Sequence, residues 1–136
     1  MPGGPAGSFL SEFLPLDINA ADQILLNGRI SGGGVNALTD EGLWSTDGDG
    51  NLQPIIREGD LLQIAPGDVR TVSAVNASGF SGGEDGMPTA LTDSGDFLIY
   101  LRFADGTSGY FRGAIPEPST AILCALAGLV GIRRRR

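Results

Sequence analysis

Short apolar runs alternating with turn clusters are the feature that most limits what this chain can become. Apolar stretches of four to eight residues separated by Gly, Asp, Asn and Ser are the mark of an antiparallel β meander. Glycine and proline supply 22 and 8 of the 136 residues, a density that suits turns rather than a helix bundle. The spacing predicts strands over 23–30, at Leu43-Trp44, over 52–57, over 69–75, over 97–103 and over 109–112. Asp47-Gly48-Asp49-Gly50 reads as a hairpin turn, as does Ala104-Asp105-Gly106-Thr107. In the fourth strand Val69, Thr71, Ser73 and Val75 fall on one face by strict alternation. Residues 76–88 read as a Gly/Ser/Asp-rich loop.

Composition removes whole classes of chemistry. The chain has no histidine and one cysteine, Cys124. Triads built on histidine, histidine metal sites, internal disulfides and multi-cysteine clusters are therefore excluded. Fifteen acidic side chains and five arginines fall in residues 1–115, whereas residues 116–136 hold Glu117 and four arginines. An acidic body of this kind repels phosphate backbones, so no nucleic-acid partner is expected.

The last residues have three parts in order. Pro116-Glu117-Pro118 is stiff and extended, because each proline fixes φ and disfavours helix in the residue before it. Ser119 and Thr120 are good helix N-caps. Residues 121–132, including Ala121, Ile122, Leu123, Leu126, Leu129, Val130 and Ile132, then carry no polar side chain, and Arg133, Arg134, Arg135 and Arg136 end the run. A helix over 121–132 would be about 18 Å long, short for a bilayer core of about 30 Å. The arginines would stay cytoplasmic and leave the acidic body outside. A buried core helix and a permanent tail anchor are the two plainer readings.

This tail resembles the PEP-CTERM sorting signal of Gram-negative bacteria. The resemblance implies recognition by exosortase, a multi-spanning membrane enzyme, with Pro116, Glu117 and Pro118 as the recognition element. It implies that 121–132 is the membrane span and Arg133 to Arg136 the cytoplasmic stop. In that family the protein is the substrate and the chemistry belongs to its partner, so no enzymatic activity and no cofactor are expected. The location implied is the cell membrane during sorting, then the cell surface or an extracellular polysaccharide matrix. Such proteins enter export through an N-terminal signal peptide, and Met1-Pro2-Gly3-Gly4 lacks a basic region and an apolar stretch. The expectation is that the sequence is a C-terminal piece of a longer product or that its start was called too late, with export by another route as the alternative.

Within the body there is a faint repeat. Residues 17–26 resemble residues 90–99, with Asn19 facing Thr92 and Asp22 facing Gly95, and each copy is followed by a Gly-aromatic strand: Gly42-Leu43-Trp44 and Gly109-Tyr110-Phe111. Together with Arg57-Glu58-Gly59-Asp60, these resemble the tandem repeats of choice-of-anchor surface proteins. The fold expected is mainly β, an antiparallel meander or incomplete propeller-like blades, followed by one short C-terminal hydrophobic helix. Three regions follow: a flexible lead-in over 1–13, a β-rich body over 14–113 and the sorting signal over 114–136.

Candidate sites in the body are few. Asp47, Asp49, Asn51 and Glu58 have the spacing of calcium ligands, although Leu52 stands where the tight turn wants glycine; a hairpin turn is the plainer reading. Asp93-Ser94-Gly95 has the form of an aspartic-protease loop, and Glu84-Asp85 or Asp93 with Asp96 offer carboxylate pairs. Asn76-Ala77-Ser78 has the glycosylation pattern. Trp44, Tyr100 and Tyr110 are either a sugar-stacking face or ordinary sheet packing. A surface module that binds carbohydrate or calcium is thus the alternative to a purely structural body.

Overall fold

A computed structural model describes residues 1–47, 50–77, 81–82 and 88–115. The fold is mainly β, and no helix occurs among the described residues. The strands are β1 (Phe9–Ile18), β2 (Ile24–Ser31), β3 (Glu41–Thr46), β4 (Leu52–Arg57), β5 (Leu61–Ala65), β6 (Asp68–Asn76), β7 (Ser81–Gly82), β8 (Pro88–Thr89), β9 (Asp96–Phe103) and β10 (Ser108–Ala114). One antiparallel sheet runs β1-β2-β3-β4 as a meander, and a second runs β10-β9-β6-β5; β7 and β8 form a short ribbon. The expected C-terminal helix over 121–132 lies outside the described residues.

One turn design closes four of the connections. At Asn19–Gln23, Asp47–Asn51, Thr92–Asp96 and Phe103–Thr107 the first residue's N–H donates to the fifth carbonyl, and the fourth N–H donates to the first carbonyl. The fourth residue must take a left-handed backbone, and it is Asp22 (φ 58°), Gly50 (80°), Gly95 (78°) and Gly106 (84°) respectively. Glycine meets that demand without a Cβ penalty, and aspartate is among the few other residues that tolerate it. Both turns read as hairpins, after β3 and after β9, have this geometry.

The facing sides of the sheets share one core. Leu25, Leu43 and Ile56 from the first sheet meet Val72, Val75, Ile99, Leu101 and Phe103 from the second. β9 alternates cleanly, with Phe97, Ile99, Leu101 and Phe103 inward and buried. Phe97 lies across the strand from Gly113, and a Cβ there would run into the ring. β6 does not follow the alternation read from its sequence. A bulge between Val72 and Ala74 shifts the register against β9, so Val72 and Val75 both point inward while Val69 is exposed. One extra residue in a bulged strand reverses the faces beyond it.

Four strands stand where the sequence pattern reads irregular chain: β1, β5, and the short pair β7 and β8, of which Ser81, Gly82 and Pro88 fall in the stretch 76–88 read as a loop. The lead-in over 1–13 is strand from Phe9, and β5 is the partner of β6 that pattern reading missed. Residues 1–8 are laid on the outer side of the first sheet. Trp44 Nε1 donates to the Pro2 carbonyl at 3.0 Å, and Trp44 is buried to 1% exposure. That indole, with Leu26 and Ile30, forms a second small apolar layer away from the shared core.

Candidate functional site

Among the described residues, the outer face of the second sheet offers a ligand-like surface. Tyr100 and Tyr110 are direct cross-strand partners with ring centroids 5.2 Å apart and planes tilted by 55°. Leu98 faces Arg112 one pair along, and Arg102 faces Ser108 on the other side. Beside Leu98 and Arg112 opens a largely apolar cleft of about 310 Å³, closed by Thr89, Ala90, Thr92 and Asp96. Arg112 is held at the cleft by Asp96, with Nη2 to Oδ1 at 3.0 Å. That guanidinium, and then the Ser94 hydroxyl, hold the Asp96 carboxyl below the usual carboxylate range. Arg102 has no ion pair among the described residues. Trp44 does not join the tyrosines, because it belongs to the first sheet and lies under residues 1–8.

The two repeated turns touch one another. Asn19 Nδ2 donates to the Thr92 carbonyl at 2.9 Å, the Ala20 N–H to Asp93 Oδ1 at 2.9 Å, and the Ala90 N–H to Asp17 Oδ2 at 2.6 Å. Asn19 is buried and otherwise satisfied inside its own turn: Nδ2 also donates to Gln23 Oε1, and Oδ1 accepts from the Ala21 and Gln23 N–H groups. Asp93 thus serves as an acceptor between turns, and its neighbour Asp96 is engaged by Arg112. Glu84 and Asp85 lie outside the described residues.

Of the calcium-spaced residues, Asp47 and Asn51 meet within their own hairpin, and Glu58 does not join them. The Asp47 carboxylate accepts from the Asn51 backbone and side chain and from Gln53 Nε2 at 3.1 Å, bonds that close its own hairpin. Glu58 follows β4, and six extended residues put it about 20 Å along the strand from Asn51. Asp49 lies outside the described residues, and no group of three acidic or cysteine ligands occurs among those described.

Glu58 has a different role that spacing alone did not reveal. It is 7% exposed, and Oε2 accepts the Glu41 N–H at 3.3 Å. Burial pushes its carboxyl above the usual range, and the nearby Glu41 and Asp40 charges push the same way against that hydrogen bond. The rest of Arg57-Glu58-Gly59-Asp60 is a tight turn, with Asp60 Oδ2 accepting the Arg57 N–H at 2.8 Å and Gly59 at φ 87°.

The sorting residues Pro116, Glu117 and Pro118, the apolar run from Ala121 to Ile132 and Arg133 to Arg136 lie outside the described residues. No helix among the described residues is long and apolar enough to cross a membrane. No curated protein matches this sequence, and no solved structure matches it. A family model does match over residues 1–122, from the N-terminal cover of Trp44 through both sheets. The chain belongs to that family, a family of unknown function (DUF7453).

Proposed function

We propose that this chain is a non-enzymatic protein of the cell surface or extracellular matrix, exported and sorted through a C-terminal PEP-CTERM signal that an exosortase processes. The observation that carries the reading is the order of the tail: Pro116-Glu117-Pro118, an unbroken apolar run over 121–132, then four arginines. The body suits a passenger of this kind. Two turn-rich antiparallel sheets with repeated turns fit propeller-like blades, and its acidic charge keeps it soluble and away from anionic headgroups.

Intact-mass spectrometry of the chain from hosts with and without an exosortase tests this. A product ending near Pro116–Ser119 only when the enzyme is present supports it. Unchanged mass with membrane retention in both hosts means a plain tail anchor.

A second reading is favoured by the tyrosine pair. Tyr100 and Tyr110 beside Arg102, Arg112 and the cleft offer stacking surface and hydrogen-bond donors suited to a matrix polysaccharide. Glycan-array binding lost on Tyr110→Ala supports it, and an array with no signal removes it.

A further inference from the structure

The turn that leads into β2 and the turn that leads into β9 are related by a step of 73 residues along the chain, and the neighbouring strands follow by their register. Three hydrogen bonds between the repeated turns join residues 73 positions apart: Asp17 with Ala90, Asn19 with Thr92, Ala20 with Asp93. Matching parts of the two turns therefore lie side by side in the same orientation.

Carried into the strands, the same step sets Leu25, Asn27 and Arg29 of β2 against Leu98, Tyr100 and Arg102 of β9. Leu43 stands opposite Asn27 as Tyr110 stands opposite Tyr100. On the other side of the first sheet, Phe13 stands opposite Gly28 as Val75 stands opposite Leu101, and Ile18 is the counterpart of Leu91. The side of the first sheet that meets the second is thus the counterpart of the second sheet's outer face. The second sheet's inner face is the counterpart of the first sheet's outer face.

Burial shows what each end leaves unused. Leu43 is 0% exposed in the internal interface, and its counterpart Tyr110 is 63% exposed. Val75 and Leu91 are 2% and 4% exposed, whereas Phe13 and Ile18 are 71% and 62% exposed. Each end therefore presents one half of the contact that joins the sheets inside the molecule. A head-to-tail contact leaves two such unlike, mutually complementary faces wherever it stops.

We propose that a second copy of this chain stacks head to tail on the first, with the Tyr100–Tyr110 face of one against the Phe13–Ile18 face of the next. Residues 1–8 cover the Trp44 side of that receiving face, so the contact runs along its β1 side. Tyrosine and arginine at the donating face suit a surface that is solvated when free and buried when paired. The inference is independent of how the chain is sorted.

Disulfide trapping in the full chain tests it, in a Cys124→Ser background. Tyr100→Cys and Phe13→Cys are prepared separately, then oxidised alone and mixed. A covalent dimer in the mixture, in excess of either protein alone, is expected. Equal dimer from Tyr100→Cys alone means a face-to-face contact and overturns the proposal, as does no dimer in the mixture. Sedimentation equilibrium of the Tyr110→Glu chain gives a second reading on an exposed position. Self-association at least about tenfold weaker than wild type is expected, since it buries an unpaired carboxylate. Association equal to wild type overturns the proposal.

Discussion

Asn19 donates from Nδ2 to the carbonyl of Thr92 at 2.9 Å, and these two residues hold the same place in two copies of one turn. The bond is therefore both a turn contact and a contact between sheets. Asparagine performs both tasks because its oxygen serves the local N–H groups while its amide reaches the neighbour.

Replacing Asn19 separates the two tasks. Asn19→Ala strands the buried acceptors and donors it served, and is expected to cost about 2–3 kcal/mol of unfolding free energy. Asn19→Asp keeps the local acceptor but removes both donations, and is expected to destabilise while preserving the turn. Urea denaturation of each chain measures this; an Asn19→Ala midpoint equal to wild type would contradict the assigned network.

The fourth turn position gives a paired prediction of opposite sign. Asp22 sits at φ 58°, where glycine is freer, so Asp22→Gly is expected to stabilise by about 0.5–1 kcal/mol. Gly95→Ala takes the reverse step at φ 78°, with a Cβ 2.7 Å from Gln23 Oε1. A loss of about 1–2 kcal/mol is expected, read as a lower thermal midpoint.

Glu58 predicts a pH dependence. Its folded carboxyl titrates above the unfolded one, so the fold binds the proton more tightly. Its stabilising share is complete below the unfolded value and is lost as pH rises through the folded value. Glu58→Gln removes that loss. The variant's advantage over wild type is expected to be small in acid and to grow towards neutral pH, measured by denaturant titrations at a series of pH values. The lowered carboxyls of Asp68, Asp96 and Asp105 act oppositely in acid and are common to both chains.

Trp44 reports on its cover. It is the single tryptophan, and its indole N–H is bonded to Pro2. Removing residues 1–8 is expected to shift its emission to the red and to destabilise the chain by about 2 kcal/mol or more. Trp44→Phe keeps most of the packing and is expected to cost about 1 kcal/mol. Emission unchanged by the truncation would mean that residues 1–8 do not cover the ring.

By itself the sequence determined what local chemistry decides. A glycine or aspartate at the fourth turn position and apolar alternation in Phe97-Leu98-Ile99-Tyr100-Leu101 act within a few residues, so those hairpins and strands were legible. The kinship of residues 17–26 and 90–99 was legible for the same reason. The remaining features depend on partners distant in the chain. The β6 bulge arises where β6 meets β9, and it moves Val69 outward. β1 and β5 are strands because β2 and β6 supply their ladders. Trp44 and Tyr110, both in Gly-aromatic strands, differ by one position in phase: one is sealed by residues 1–8 and the other is open. Glu58 has calcium-ligand spacing from Asp47 in the sequence, but β4 carries it away from Asp47 and into the interior. Spacing along a chain fixes separation within a turn; across a sheet, register and burial fix it instead.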